Sequence, residues 1–534
     1  MTSTISPARV LRRSVMLALV AQGAATAAPA ADFRFAFQGT LGALDPYTLN
    51  ETFTLGMLGN VYEGLTRRDK DLEIIPGLAT SWEQIDDLTW RFHLREGVTF
   101  ANGNAFDADD VLFSADRVRA DGSNLAARLP ADAEFVKVDP YTVDVKLTTP
   151  NPILNYEWDT WYIMDKEWSE ANDMVAPVSA KDTSPRPAAF TAMGTGAFTF
   201  ESHEPGVKTV FVPNPGWWDT PEHNLDRVTY TTIAADGTRV AALLSGDVDL
   251  IDPVPVQDIP RIEQNADTDV LTGPELRVVY LGMNQMRAEL ATSDIKGRNP
   301  FQDPKVRKAM YQAIDIEAIK SRVMRGLSTP TALLIAQELF SQASDFQRWP
   351  YDPEAAKALL AEAGYPDGFS VTLDCPNDRY VNDEAICQAA VAMLAKVGVR
   401  VTLNAQTKSL WAAKILAAGG FDTDFYLLAW TPGSLDSWNV LVNLATCRDR
   451  TGKGGPFNVG GYCNPKVDDL AAQILGETDA ARRDDLIAEA YRILHEDTAY
   501  LPLHQQNLVW GKRANIEIAQ RADNQVLFYW ARVN

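Results

Sequence analysis

Apolar residues recur along this chain with two periods, which predict strands in some segments and helices in others. In residues 75–118 they occupy every second position from Trp90 to Leu94, as expected of a half-buried strand. A tight turn separates that strand from a second one predicted at 98–101. Asp107 can then cap a helix, because its carboxylate accepts hydrogen bonds from free N–H groups of the first turn. We therefore predict a helix end, two strands and a capped helix in this block.

Predicted strands and helices alternate through most of the remaining sequence, which favours an α/β fold. The strands are predicted at residues 33–38, 197–201, 248–251, 422–429 and 508–510, and the helices at 54–65, 239–245, 305–314, 354–363 and 478–495. Glycines follow two of these helices directly, at positions 246 and 364, where a left-handed residue commonly ends a helix. A chain of 534 residues indicates roughly three or four structural units.

The composition is that of a folded, acidic protein. With 46% hydrophobic and 22% charged residues, the chain can bury a large core, which excludes disorder on compositional grounds. The net charge of −22 argues against a nucleic-acid partner, because phosphates bind to a surplus of Lys and Arg. An acidic surface favours solubility and attracts cationic solutes only modestly.

The first 30 residues have the features of a secretory signal peptide. Arginines at positions 9, 12 and 13 precede an apolar run at 14–20, and the small residues at 28–30 or 25–27 offer a cleavage site. The apolar run is too short to cross a bilayer, which takes ~20 residues. No cysteine lies near the cleavage site, so we expect no lipid anchor. The predicted product is a periplasmic protein without a stable membrane anchor.

The four cysteines fit an oxidising compartment, in which disulfides form and persist. Four cysteines allow three pairings, and the sequence alone does not choose among them. We favour the local pairs Cys375 with Cys387 and Cys447 with Cys463, since each pair brackets a segment rich in Asn, Asp or Gly. A metal site is the alternative, although no CxxC spacing or adjacent histidine accompanies these cysteines.

Sequence signatures of enzymes are weak in this chain. The HExxH, GxSxG and GxxxxGKS/T patterns are absent, and the five histidines are scattered. Neighbouring acids such as Asp109 and Asp110 are common in a chain with 71 acidic residues, and their spacing implies no opposed catalytic geometry. We therefore expect a protein without catalytic residues, cofactor or metal ligands.

As a whole string, residues 75–118 closely resemble the signature block of the periplasmic solute-binding proteins that serve peptide, nickel and opine ABC transporters. Further blocks resemble the same family in the same order and are spread over nearly all of residues 33–530. These blocks are 193–200, 217–219, 243–250, 299–319, 351–369 and 461–470. The resemblance implies a two-lobed periplasmic-binding-protein fold of the large type II class, in which the ligand is enclosed between the lobes.

The resemblance also implies the course of the chain through the two lobes. The expected ranges are 1–30 for the signal peptide, 31–275 and 507–534 for lobe I, about 60–190 for a subdomain inserted in lobe I, and 276–506 for lobe II. The two segments that cross between the lobes are expected near residues 277–284 and 501–509.

Two loops carry residues that a cleft between lobes can use. The loop 44–52 holds Tyr47, Asn50 and Thr52, and in the family this region borders the ligand. An ordinary surface loop is the alternative.

The second loop follows the strand-like run at 370–373 and holds Arg379 and Tyr380. In dipeptide-binding members of the family, an arginine in the matching loop takes the ligand's carboxylate, which suits the fork of a guanidinium. We carry this role to Arg379, with a salt bridge at the surface or between the lobes as the alternative. A disulfide between Cys375 and Cys387 would brace this loop.

The segment 430–436 departs from the pattern of peptide-binding relatives. These commonly place an aspartate three residues after the tryptophan matched by Trp430, where it pairs with the ligand's α-amine. This chain has Gly433 there, so either Asp436 replaces the aspartate or the ligand lacks an α-amine. Trp430 offers an apolar or cation-binding face and Trp438 extends the same wall, with core positions as the alternative.

We therefore predict the substrate-binding component of an ABC importer, a monomer that delivers its ligand to an inner-membrane permease. Peptide-like solutes come first as ligands, followed by opines or modified amino-acid conjugates and then by nickel chelates. A secreted hydrolase and a periplasmic peptide-binding chaperone are the alternatives from other classes.

Overall fold

Most strands of this protein belong to one large mixed sheet, and the rest form smaller sheets. The computed structural model describes residues 31–179, 190–416, 419–448 and 454–534. The strands are β1 (Asp32–Phe37), β2 (Thr66–Arg68), β3 (Ile74–Pro76), β4 (Ala79–Asp86), β5 (Thr89–Leu94), β6 (Glu134–Asp139), β7 (Thr142–Lys146), β8 (Phe198–Glu204), β9 (Lys208–Pro213), β10 (Arg227–Thr232), β11 (Leu250–Asp252), β12 (Thr268–Met283), β13 (Ser328–Pro330), β14 (Ser370–Pro376), β15 (Arg400–Gln406), β16 (Phe425–Trp430), β17 (Leu501–Arg513), β18 (Ile516–Glu517) and β19 (Arg532–Val533).

Helices lie between many of these strands, as the predicted α/β class requires. They are α1 (Thr52–Leu58), α2 (Ala108–Arg119), α3 (Lys166–Ala171), α4 (Asp236–Ser245), α5 (Ile259–Glu263), α6 (Pro304–Gln312), α7 (Ile316–Ala318), α8 (Pro353–Glu362), α9 (Asp383–Ala395), α10 (Lys408–Ile415), α11 (Ser437–Val440), α12 (Pro465–Gly476) and α13 (Ala480–Glu496).

The large sheet has the strand order β15-β14-β16-β12-β17-β11-β1-β10-β9-β8, with β13 also paired to β17. We call β8, β9, β10, β1 and β11 the first half-sheet, and β14, β15 and β16 the second. In the first half-sheet β1 runs parallel to β10 and β11, and in the second β14 runs parallel to β15 and β16. The carboxyl ends of parallel strands lie at one edge of a sheet, which is where ligands bind in open α/β folds.

The long strands β12 and β17 join the two half-sheets. They pair with each other from Thr268 and Arg513 at one end to Leu281 and Leu501 at the other, but the register shifts between Pro274 and Val278. Buried polar side chains occupy this break. Glu275 accepts from Arg277 Nε at 2.6 Å and from Gln506 Nε2 at 2.6 Å. All three side chains are therefore satisfied, as buried polar groups must be.

Buried apolar side chains gather in separate clusters on the two sides of this crossing. One large cluster runs from Phe33 to Leu250 and includes Trp510 and Phe528 from the end of the chain. Two others draw almost entirely on residues between 279 and 503. Residues 31–534 nevertheless form one compact unit, and the predicted lobe boundaries and inserted subdomain stay predictions.

The block at residues 75–118 confirms part of its prediction and corrects the rest. Alternation in β5 buries Trp90, Phe92 and Leu94, and β5 pairs with β4 and β7 in a four-stranded sheet. Asp107 caps α2 and accepts from Asp109 N at 2.7 Å. The predicted second strand at 98–101 is wrong, since only an isolated bridge from Thr99 forms there. The predicted helix end is instead β3.

Two other element predictions change for identifiable reasons. The helix predicted at 54–65 ends at Leu58, where Asn60 Nδ2 donates to the carbonyls of Gly56 and Met57. The strand predicted at 508–510 extends over the whole of β17. His504, Gln505 and Gln506 hid its first part, because polar residues interrupt the apolar pattern although they are buried there.

Both predicted disulfides are confirmed, Cys375 with Cys387 and Cys447 with Cys463. The predicted signal peptide and its cleavage site lie outside the described residues. Among the described residues, no helix has the length and apolar character needed to cross a bilayer.

A buried ion pair anchors the loop between β1 and α1. Asp45 accepts from Arg117 Nη1 at 2.9 Å and Nη2 at 2.6 Å, and also from the backbone N–H groups of Tyr47 and Val178. Both charged side chains are fully buried. The loop is thereby tied to α2.

We expect Arg117→Met to lower the free energy of unfolding by about 3–5 kcal/mol, because it leaves the carboxylate of Asp45 buried without a counter-charge. Urea unfolding followed by circular dichroism measures the change. Lys70→Met is the control, since the pair of Lys70 with Glu222 is exposed and should be worth less than about 1 kcal/mol. Equal effects of the two substitutions would contradict this account.

Candidate functional site

Three loops of the second half-sheet meet at the carboxyl edge of its strands. Arg379 follows β14, Lys408 follows β15, and Gly433 follows β16. Because these strands are parallel, the three loops lie at the same edge. Glu51 lies opposite, in the loop between β1 and α1. We call the first half-sheet and the segments packed with it the first half, and the second half-sheet with its segments the second half. We call this contact zone the seam; it consists of Glu51, Arg128 and Glu157 on the first side and Arg379, Lys408, Gly433 and Asn439 on the second.

Glu51 is held in place by the start of α1. Its side chain caps this helix and accepts from Thr54 N at 3.1 Å and from Thr54 Oγ1 at 2.8 Å. A carboxylate at this position also meets the positive end of the helix dipole. The orientation of Glu51 therefore depends on the local backbone and does not require the opposite side of the seam.

Across the seam, the carboxylate of Glu51 meets two cations. Its Oε1 lies 3.4 Å from Arg379 Nη2 and 3.4 Å from Lys408 Nζ. The three side chains are 11%, 13% and 18% exposed, so solvent screens the contacts only weakly. Burial alone would raise the pKa of Glu51, but Lys408 and Arg379, with the hydrogen bonds from Thr54, hold it at about 2. The two cations thus form a site that holds a carboxylate.

The loop that carries Arg379 is braced by its own backbone. Asp383 Oδ2 accepts from the backbone N–H groups of Arg379 and Tyr380, each at 2.9 Å. Burial raises the pKa of Asp383 to about 7, although these N–H groups oppose the rise. The disulfide of Cys375 with Cys387 ties β14 to α9 on either side of this loop. The guanidinium is therefore presented by a constrained segment.

The crossing strands reach the same loop. Val381 N donates to Gln506 Oε1 at 3.2 Å, and Gln506 donates in turn to Glu275. Arg277 lies over the ring of Tyr380 at 5.7 Å, and the Tyr380 hydroxyl accepts from Ala429 N at 3.2 Å. Tyr380 is thus a buried support beneath Arg379 that connects the loop to β16 and to the crossing.

The other end of the seam is formed around Gly433. Glu157 of the first half pairs with Arg128, whose Nη1 lies 2.6 Å from Glu157 Oε2. Glu157 also accepts from Asn439 Nδ2 of the second half, and Arg128 Nη2 donates to Asn50 Oδ1 at 3.0 Å. Asn50 and Glu51 are consecutive, so the two ends of the seam are close to each other.

The predicted residues of the loop 44–52 have different surroundings. Asn50 lies on the seam through its bond to Arg128, and Thr52 is half-buried as the first residue of α1. Tyr47 is fully buried in the first core, where its hydroxyl donates to the carbonyl of Tyr162 at 2.6 Å. The structure therefore brings Asn50 to Arg128 and leaves Tyr47 in the core beside Arg117.

The predicted residues after β16 lie mainly within the second half. Trp430 donates from Nε1 to Asn439 Oδ1 at 2.9 Å, and Trp438 donates from Nε1 to the carbonyl of Ala471 at 3.0 Å. Asp436 caps α11 and forms two hydrogen bonds of 2.7 Å with Arg483. These contacts account for Asp436 within its own half. The carboxylate beside Gly433 belongs instead to Glu157.

Sequence reasoning missed Glu51, Lys408, Arg128 and Glu157. Glu51 lies between the predicted residues Asn50 and Thr52, but a single acidic residue is not distinctive in so acidic a chain. Lys408 follows a strand parallel to β14, and that topology would have placed it beside Arg379. Arg128 and Glu157 have no motif, because their role comes from tertiary contact alone.

A cavity within the first half lies beside the seam. Its volume is about 40 Å³ between Tyr62, Trp217 and Tyr529, and its charged lining residues include Arg68, Asp159 and Arg521. Arg68 Nη2 also reaches across to the carbonyl of Ser434 at 3.4 Å. No group of three or more His, Cys, Asp or Glu side chains in the described ranges is placed to hold a metal ion.

A two-part sheet with charged loops at facing carboxyl edges is the geometry of a protein that closes on a solute. The family model of the bacterial extracellular solute-binding proteins, family 5 middle, matches residues 73–452. This chain belongs to that family. The prediction from sequence is therefore confirmed at the level of the family.

The relatives of this family 5 protein extend over nearly its whole length. Glutathione-binding protein GsiB of Escherichia coli strain K12 is 28% identical over 520 residues, which cover 95% of this chain and 96% of that protein. The periplasmic binding protein DppA of Helicobacter pylori, solved with the peptide STSA, has a TM-score of 0.81 at 23% identity and covers 94% of this chain and 98% of its own.

A second solved structure of the same fold is AgaA from Agrobacterium tumefaciens R10 in complex with agropinic acid. It has a TM-score of 0.79 at 23% identity and covers 94% of this chain and 99% of its own. At such identities the structural likeness concerns the fold, and it confirms the predicted type II class.

We expect Glu51 to stabilise the closed seam at neutral pH and to lose this effect in acid. Its pKa falls from the ordinary value of 4.5 to about 2 in the folded protein. A carboxyl group with a lowered pKa stabilises the fold above its unfolded pKa, and this stabilisation disappears as the pH falls through its folded pKa. The difference in melting temperature between the wild type and Glu51→Gln should therefore be constant above about pH 5 and shrink below it.

Calorimetric melts at a series of pH values measure this difference. Glu222→Gln is the control, because the pair of Glu222 with Lys70 is exposed and should contribute little at any pH. A difference for Glu51→Gln that does not change with pH would contradict the proposed charge pairing.

Proposed function

We propose that this protein is the periplasmic substrate-binding component of an ABC importer, which encloses a peptide-like solute at the seam and delivers it to an inner-membrane permease. The family membership and the relatives over nearly the whole length support this role. In this proposal the protein acts by binding and closure, without a catalytic step.

The observation that carries the proposal is the contact of Glu51 with Arg379 and Lys408. Two cations on one side of the seam already hold a carboxylate that the other side supplies. A solute with a free carboxylate can take that place when the two sides are apart. Arg379 can then form a two-pronged pair with it, and Lys408 adds a second charge.

Closure follows from this arrangement of charges. The cations and Glu51 lie on opposite sides of two crossing strands, and the register break between Pro274 and Val278 marks the place where these strands can bend. A ligand favours the closed form only through contacts that it gains there. We propose that lobe I comprises 31–275 and 507–534, and that lobe II comprises 276–506.

Peptide-like ligands remain first among the candidates. The E. coli relative is named for glutathione, and the solved structures hold a peptide in DppA and agropinic acid in AgaA. Each of these is an organic acid, which suits a site formed by Arg379 and Lys408. Because Gly433 stands where an aspartate that binds an α-amine was expected, opines and other amino-acid conjugates are the second class of candidate ligand.

We expect Arg379→Ala to weaken the binding of carboxylate-bearing peptides by about tenfold to a hundredfold, because a hydrogen-bonded charge pair contributes ~1.5–3 kcal/mol. Isothermal titration calorimetry with a panel of short peptides and their C-terminal amides measures the effect. The amides should bind weakly to the wild type and should not distinguish it from the variant.

Arg400→Ala is the matched control. Arg400 belongs to the same half-sheet and also forms an ion pair, with Asp294, but that pair is exposed. Its removal should leave affinity unchanged. Tight peptide binding that survives Arg379→Ala would contradict the site, and bound ligand that leaves the radius of gyration in solution scattering unchanged would contradict closure.

A further inference from the structure

The absence of a side chain at position 433 lets the two sides of the seam approach closely. A Cβ atom there would meet Arg128 Nη1 and would lie 3.2 Å from Glu157 Oε1, both from the opposite side. The backbone of Gly433 is not in the left-handed region that favours glycine, so the residue is not needed for a turn. What glycine permits here is close contact, because Arg128 and Glu157 approach the backbone where a side chain would stand.

Arg128 and Glu157 present a fixed pair of opposite charges. Their side chains are 6% and 15% exposed, and Nη1 lies 2.6 Å from Oε2. The indole of Trp158, the residue after Glu157, links the two segments, because its Nε1 donates to the carbonyl of Arg128 at 3.3 Å. These contacts all lie on the first side of the seam.

Several polar atoms around this pair are buried without a hydrogen-bond partner in the described structure. They are Arg128 Nε, Thr431 Oγ1 and Ser434 Oγ. A buried polar group left unpaired costs about 1–3 kcal/mol. These three atoms are therefore available to a polar ligand that enters when the two sides of the seam are apart.

We propose that this end of the seam binds an α-amino-acid head group that keeps both its ammonium and its carboxylate. Glu157 accepts hydrogen bonds from the ammonium, and Arg128 donates to the carboxylate, with Thr431 and Ser434 as neighbouring hydroxyls. The proposal rests on the proposed function and names the class of solute for that site.

The charges distinguish this head group from the start of an ordinary peptide. The first residue of an α-linked peptide has a free ammonium, but its α-carboxyl is part of an amide bond and carries no charge. An arginine beside the ammonium site would then have no anion to bind on the same carbon, and the side-chain carboxylate of an α-linked glutamate lies further away. A residue joined through its side chain, as in a γ-glutamyl peptide, keeps both charges on one carbon and suits Arg128 and Glu157 together.

The two ends of the seam set the length of the solute. Asn50 contacts Arg128 while the adjacent Glu51 contacts Arg379 and Lys408. Neighbouring Cα atoms are about 3.8 Å apart, so one short molecule can span both ends. The class is therefore a short peptide-like solute with an amino-acid head group at one end and a carboxylate at the other.

Two isomeric tripeptides test this directly: γ-Glu-Ala-Gly and α-Glu-Ala-Gly have the same composition and net charge. Calorimetric titration should show that the γ isomer binds at least about tenfold more tightly to the wild type. Arg128→Gln should weaken γ binding about 30-fold or more, and it should change α binding less than about threefold. Arg128→Lys should recover part of the γ affinity, because the charge remains but the fork is lost.

Two further variants keep the test decisive if Arg128→Gln disturbs the fold. The double variant Arg128→Gln with Glu157→Gln removes both charges at once and should abolish the preference for the γ isomer. Gly433→Ala leaves both charges but its methyl group displaces Arg128, and it should also reduce that preference. Arg400→Gln is the control and should preserve the preference.

Equal affinity for both isomers, or an equal loss of both in Arg128→Gln, would overturn the head-group proposal. If other peptides still bind in a manner that depends on Arg379, the proposed function stands without it. If no peptide or conjugate binds to the wild type at all, both proposals fail, so the two failures can be told apart.

Discussion

The fold depends on the pairing of two long strands through both halves of one sheet. β12 and β17 keep their hydrogen bonds on each side of a register shift, so the two half-sheets share a single continuous ladder. The shift coincides with buried Glu275, Arg277 and Gln506, which satisfy one another at the point where an apolar core is interrupted. Charges in such a place need fixed partners. The crossing therefore contains the buried polar residues. The two half-sheets, whose edges face each other, lie on either side of it.

The seam follows from this crossing. Loops after three of the parallel strands supply charged side chains to it, with Glu51 after β1, Arg379 after β14 and Lys408 after β15. Contacts across the seam involve both carboxylates of the first side: Glu51 meets Arg379 and Lys408, and Glu157, already paired with Arg128, accepts from Asn439. Local bonds hold several of them, such as the cap that fixes Glu51 and the Asp383 bonds beneath Arg379. The geometry of the seam is thus set largely by contacts within each half.

Sequence patterns predicted the elements whose side chains alternate or recur cleanly. β5 and most of β16 were found because their buried positions are apolar, and α2 because Asp107 caps it. The first part of β17 was missed because buried His504, Gln505 and Gln506 belong to the crossing and not to the apolar core. Such disagreement between the local sequence pattern and the final structure is expected at functional sites.

The candidate site was predicted in part. Arg379 and Asn50 lie on the seam, while Tyr47 and Asp436 have partners inside their own halves. Arg128 and Glu157 are contributed by segments far from Gly433 in sequence, and no spacing rule connects residues 128, 157 and 433. Only the fold brings them together. Gly433, where the expected aspartate is absent, therefore lies beside the charged pair of Arg128 and Glu157.

The cap at α1 gives Glu51 two sets of partners. If a solute carboxylate displaces it from Arg379 and Lys408, Glu51 still keeps its bonds to Thr54, so no charge is stranded by the exchange. Glu51 then competes with the solute carboxylate for the site formed by Arg379 and Lys408. In the proposed exchange, the affinity for a solute is the difference between the binding free energies of its carboxylate and of Glu51 for the same two cations. A molecule without an acid group does not form these ion pairs and is expected to bind more weakly, whatever its shape.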